Sequence, residues 1–212
     1  MRELQSTSKV KKVQLHLRGV KLNSGFTLVE ILVVIAITAI VGTIMVAIFS
    51  NTLRGSNKSQ ILAAIKQNGQ AVLDHMDKTI RDADEVVCPK LVNPEPNTLV
   101  IVKNGRYTRF RFVPHPTDNG SIQQDSPAPG SDINSFLNTV CTYPALAGTI
   151  TLTDTNPQSG VSVKSGFFSR SQQAGFKDNV TVSFELGPGS AVPPAVADQI
   201  DSVVFQTTVQ LR

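Results

Sequence analysis

Hydrophobic and polar positions follow three regimes along the chain. From Phe26 to Phe49 the sequence FTLVEILVVIAITAIVGTIMVAIF holds one ionisable side chain, Glu30. At 1.5 Å per residue this run reaches roughly 36 Å as a helix, enough for a hydrocarbon core of about 30 Å. Its length and β-branched density predict a membrane segment rather than the buried helix of a soluble domain. Beyond it, Ile61, Leu62, Ile65, Val72, Leu73, Met76, Ile80 and Ala83 recur at three- and four-residue steps, with Lys66, Asp74, Asp77, Lys78, Arg81 and Asp82 mostly between them. That is an amphipathic helix with an apolar stripe suited to core packing. Gly55 and Gly69 weaken it by about 1 kcal/mol each, and Pro89 ends the pattern. The spacing predicts one helix from about Thr27 to Glu85, roughly 90 Å long.

From residue 97 the period becomes two. In NTLVIVKNGRYTRFRFVP, Asn104-Gly105 separates two alternating runs, a strong hairpin signal. GTITLT, VSVKSGFF, NVTVSFEL and IDSVVFQTTVQLR read as further strands, separated by turn-rich loops at 114–135 and 187–197. The expected fold class is α+β: a long N-terminal helix packed on a C-terminal antiparallel β-sheet domain.

Charge divides the chain more sharply than the total of +4 implies. Residues 1–25 carry Arg2, Lys9, Lys11, Lys12, Arg18 and Lys21 against Glu3; removing them from 20 basic and 16 acidic residues leaves 14 and 15, a net of −1. The basicity belongs to the N-terminal segment, so whole-chain charge gives no support to a nucleic-acid-binding domain. A basic segment before the apolar run predicts a cytoplasmic N-terminus and an exported C-terminus in a single-pass inner-membrane protein.

Neither a cleaved signal peptide nor a plain anchor accounts for Glu30. The apolar run is too long for an h-region, and SNTLRGSNKSQ follows where a small-residue cleavage site would stand. A carboxylate inside hydrocarbon costs on the order of 2.5–3.5 kcal/mol, which the positive end of the helix dipole relieves in part and a cationic partner relieves further. Gly25-Phe26-Thr27-Leu28-Val29-Glu30, after a Lys-rich leader and before an unbroken apolar run, resembles the class III signal of type IV pilins and pseudopilins. The resemblance implies cleavage after Gly25 by a prepilin peptidase and N-methylation of Phe26. It also implies assembly through Glu30, which pairs with the N-terminal amine of a neighbouring subunit. Ala47 stands where many pilins carry a helix-breaking proline. The implied partners are the peptidase, other pilin or pseudopilin subunits, an inner-membrane assembly platform and membrane lipid. The implied division is a leader 1–25, a membrane or filament-core half-helix 26–50, an amphipathic half-helix 51–87 and an exported β-rich domain 88–212. QAVLDHMDKTIRDADEV and FQTTVQLR resemble, at pattern level, J-type minor pseudopilins and related minor pilins.

Cys88 and Cys141 both fall in the exported part, where a disulfide is expected. It would close a loop worth roughly 4 kcal/mol in the chain-entropy model. No catalytic constellation stands out. His75 lies on the amphipathic helix, His115 in a loop and His16 in the leader, without metal-ligand spacing. Gly187-Pro188-Gly189 reads as a turn. Asp118, Asn119, Asp125 and Asp132 could ligate calcium in a folded loop, but they lack EF-hand spacing and read as a solvated loop. Arg109 and Arg111 share one strand face and Arg106 the other, a pattern that could touch DNA or a partner subunit but reads as a solvated sheet face. The expectation is a structural subunit, neither enzyme nor cofactor- or metal-binding protein. The alternatives are a ligand-binding pilin for DNA uptake or adhesion, a membrane-anchored enzyme, and a simple membrane-anchored exported protein.

Overall fold

The computed structural model describes residues 25–91, 96–142 and 144–212; the leader, His16 included, otherwise lies outside them. Two compact units divide the chain, Met1–Ile48 and Phe49–Arg212. In the first, the described residues are Gly25–Phe26–Thr27 and the start of helix α1 (Leu28–Arg81). The apolar side chains of this part are exposed from Phe26 through Ile48, and among the described residues nothing covers them.

In the second unit α1 presents Ile65, Val72, Met76 and Ile80 to a core shared by two antiparallel sheets. These are stripe positions read from the helical period. Gly69 lies on the same face because the Phe205 ring occupies the space of any β-carbon there. The helix ends at Arg81 rather than Glu85. Glu85–Cys88 forms strand β1 instead, antiparallel to β2 (Thr98–Lys103). Cross-strand pairing of Val86 with Ile101 prevails over continuation of the helix pattern.

Strand β2 turns into β3 (Arg106–Val113) through Asn104 and Gly105, whose φ of 49° and 73° are those a two-residue hairpin turn needs. The segment read as an unbroken loop at 114–135 contains strand β4 (Ser121–Asp125) and the start of helix α2 (Ile133–Thr139). With only one large apolar residue, Ile122, β4 has almost no sequence signal, and its pairing with β3 defines it. Strand β5 is only Ile150–Thr151, and completes a five-stranded sheet in the order β1-β2-β3-β4-β5.

The single sheet expected from sequence is two. Strands β6 (Val161–Ser171), β7 (Asn179–Pro188) and β8 (Val203–Gln210) form a separate three-stranded sheet, with short helix α3 (Pro194–Ala197) before β8. Gly187 and Pro188 are not a turn. They continue β7 opposite Ser162 and Val161, with Pro188 at the strand end. Phe112 stacks on Phe168 at 4.4 Å and Phe184 on Phe205 at 5.4 Å, so aromatic pairs from both sheets fill the core.

The far face of the five-stranded sheet carries a second, smaller core. Cys88, Val100, Arg109 and Asp125 are cross-strand neighbours in one row over β1 to β4. Helix α2 covers part of this face, with Phe136 edge-on to Tyr107 at 4.8 Å.

Candidate functional site

The α1 N-terminus is built by local chemistry. Thr27 accepts a hydrogen bond from the Glu30 backbone N–H at 3.2 Å through its hydroxyl, and from the Ile31 N–H at 3.3 Å through its carbonyl. Thr27 therefore caps the helix, and Glu30 takes the third position of a capping-box spacing in the first turn. The Thr-x-x-Glu spacing is the sequence signal for this cap. Gly25 and Phe26 precede the cap, outside the helix and exposed, with Phe26 at 75%. A β-carbon added at Gly25 meets nothing within 4 Å, so the fold itself places no demand for glycine there.

Glu30 is exposed on α1, and among the described residues its carboxylate has no partner. Around it Leu28, Val29, Ile31, Val33 and Val34 are each 45% exposed or more. The most apolar 18-residue window of α1 has a mean hydropathy of 3.0, and none of that window is buried. The helix is long and apolar enough to cross a membrane, and its apolar run carries one acid, Glu30, in the first turn.

The charged residues of the sheet unit are arranged in the opposite way. Arg109, expected on a solvated face, is fully buried. Its Nε and Nη2 donate to the two Asp125 carboxylate oxygens at 2.8 and 2.6 Å. Nη1 reaches the Val140 carbonyl at 3.0 Å and Nη2 also the Pro144 carbonyl at 2.9 Å. A flat, five-donor guanidinium suits this role better than an ammonium would. Burial works to raise the Asp125 carboxyl, but the Arg109 hydrogen bonds and charge, with the Leu146 N–H and Arg111, hold it below its ordinary value. Arg111 is half-buried and donates to Gln123 at 3.2 Å, while Arg106 is exposed.

Cys88 and Cys141 form a disulfide with an S–S distance of 1.91 Å and a Cα–Cα distance of 5.9 Å. Since Val140, Cys141 and Pro144 all attach to the Cys88–Val100–Arg109–Asp125 row, the segment after α2 is fixed by a covalent bond and a buried ion pair together. Sequence period placed Arg109 on a face but did not identify what covers it.

The four residues weighed for calcium do not converge. Asp125 is engaged by Arg109, and Asp132 caps α2 by accepting from the Asn134 and Ser135 N–H groups. Asn119 donates to the Thr155 and Asn156 carbonyls and accepts from the Ser190 N–H. Asp118 is exposed beside His115, which accepts its N–H at 2.9 Å. His75 bonds Gln124 at 2.7 Å, far in role from any metal cluster. Among the described residues no group of three or more His, Cys, Asp or Glu is placed to hold a metal ion.

A family model described as the prokaryotic N-terminal methylation motif matches residues 20–46. The match takes in the cap, Glu30 and most of the apolar run, and ends before the sheet unit. No curated protein and no solved structure matches the chain.

Proposed function

We propose that this chain, which carries the N-terminal methylation motif that marks type IV pilins and pseudopilins, is a membrane-anchored structural subunit of a type IV pilus or a type II secretion pseudopilus. In this reading a prepilin peptidase cuts after Gly25 and methylates the new Phe26 amine, and the apolar run of α1 then holds the subunit in the inner membrane with its N-terminus inside. A leader 1–25, a membrane half-helix 26–50, an amphipathic half-helix 51–87 and an exported domain 88–212 are the working divisions. Assembly brings in other pilin or pseudopilin subunits and the platform that extracts them from lipid, with this chain as a minor component.

One observation carries the reading: an exposed Gly25–Phe26 pair stands directly before a capped helix whose first turn holds the one acid of an uncovered apolar run. Once Phe26 has a free amine, each subunit has one cation and one carboxylate in an apolar setting. Pairing the amine of one copy with Glu30 of the next satisfies both and sets the axial register. Such a contact is heterologous and does not close, so it propagates as a helical filament. The DNA-binding alternative loses its main support, since Arg109 is buried and Arg111 half-buried in the sheet.

Co-expression with a prepilin peptidase tests the processing step. Mass spectrometry should show a chain beginning at methylated Phe26. Gly25→Val should leave the chain uncleaved and in the membrane, because the enzyme and not the fold requires the small residue. An intact Met1 start with the wild-type sequence rejects this reading.

A further inference from the structure

The outer face of the three-stranded sheet is polar and almost free of charge. Phe168, Val180, Val182, Phe184 and Val209 turn inward to the core. The alternate positions over 165–171, 179–185 and 204–210 therefore turn outward. Serine, threonine, asparagine and glutamine fill every one of those positions except Phe167, Glu185 and Val204. Two rows cross the centre, Ser169–Thr181–Thr208 and Phe167–Ser183–Gln206. Ser169, Thr208 and Gln206 are exposed, and the Phe167 ring is 47% exposed among them.

Solubility alone does not account for this composition. A face that only meets water mixes charges of both signs, as the outer side of α1 does with Lys66, Asp74, Lys78 and Arg81. Here the one charge is Glu185, toward one end, where it accepts from the Ser165 and Ser202 hydroxyls. The Arg170 cation of β6 turns inward and pairs with Asp178 at 2.7 Å. Three strands and six or so residues of strand length give roughly 15 Å by 20 Å, or about 300 Å². A stable protein interface takes about 800 Å² per partner, so this face is small for a subunit contact.

We propose that this face binds an uncharged, equatorially linked glycan chain. Its hydroxyls and amides supply donors and acceptors together, which is what sugar hydroxyls require of a partner. The exposed Phe167 ring offers a negative π face to the C–H side of a flat pyranose ring. Nucleic acids and acidic polymers need cations to neutralise them, and the face supplies none while Glu185 repels them. An elongated strip with hydroxyls along its whole length and one aromatic platform fits a single ribbon-like chain. The proposal goes beyond the filament reading: it lies wholly in the sheet unit and requires neither leader removal nor assembly.

The test uses the full chain, purified in a detergent without a sugar headgroup. Cellohexaose is titrated calorimetrically, with hexagalacturonate as the charged comparator. The wild-type chain should bind cellohexaose at least tenfold more tightly than hexagalacturonate. Phe167→Ala removes the platform and Thr208→Glu sets a charge in the central row, and each should weaken cellohexaose binding at least tenfold. Both positions are exposed, so the Cys88–Cys141 bridge and the near-ultraviolet circular dichroism should persist. No binding of cellohexaose, equal or tighter binding of hexagalacturonate, or an affinity indifferent to both substitutions overturns the proposal. So does a concentration-dependent dimer that Phe167→Ala dissolves, which would assign the face to a second copy.

Discussion

Glu30 and Asp125 are two carboxylates in apolar surroundings, and the chain treats them oppositely. Asp125 receives Arg109 from the neighbouring strand, the Leu146 N–H and the Thr149 hydroxyl, all supplied by the same chain. Glu30 receives no partner among the described residues, and the apolar side chains beside it are uncovered. A domain that folds on its own must satisfy its buried charges internally, because an unpaired one costs several kcal/mol. A segment that leaves its charge and its apolar surface unsatisfied depends on something outside the chain. The contrast separates what holds this protein together from a segment whose charge and apolar surface it leaves unsatisfied.

The largest expected effect falls on assembly. Glu30→Ala makes the helix more apolar and should leave leader removal, membrane insertion and the Cys88–Cys141 bridge intact. Incorporation into sheared filaments, normalised to the membrane pool, should fall at least tenfold, since breaking a buried pair costs on the order of 3–5 kcal/mol. Glu30→Asp should be intermediate, keeping the charge but losing reach. Wild-type incorporation by the Ala variant would remove the contrast.

Next in size is the internal pair. Asp125→Ala strands the Arg109 charge in the small core and should destabilise the sheet unit by about 3–5 kcal/mol. Chemical denaturation of the processed chain in detergent, followed by near-ultraviolet circular dichroism, reads this loss. A shift below about 1 kcal/mol would mean the guanidinium finds equivalent acceptors without its carboxylate.

The smallest effect is on acid stability, and its sign follows from the depressed Asp125 carboxyl. A carboxyl lowered in the folded state contributes stability above its unfolded value of about 3.9 and loses it as pH falls through the folded value. The wild-type midpoint should therefore fall more steeply below about pH 4 than that of Asp125→Asn. Parallel curves from pH 5 to pH 2 would show that this pair does not govern acid unfolding.

Much of the N-terminal part of α1 was legible because its signals are local. The length of an apolar run, one acid at a fixed distance from Gly25, and a threonine three residues before that acid require no knowledge of the rest of the chain. The Asn104-Gly105 hairpin was legible for the same reason, since a two-residue turn is specified by the residues in it. The sheet unit was legible only in class. Ser121–Asp125 looked like loop because its strand character comes from pairing with β3, and Glu85–Cys88 looked like helix until β2 paired with it.

The sequence by itself determined the α+β class, the start of α1, its apolar exposure problem and the position of Glu30. Each depends on spacing within a few turns of one helix or on composition summed along the chain. Tertiary structure alone decided that there are two sheets and that Arg109 is buried. It also decided that Cys88, Val100, Arg109 and Asp125 form one row gripping the segment after α2. The physical reason is that period assigns a side chain to a face, whereas burial and pairing depend on which distant segment lies across it. Arg109 could be placed on one side of β3 from its neighbours in sequence, but the carboxylate and carbonyls that make its burial affordable come from 16 to 35 residues away.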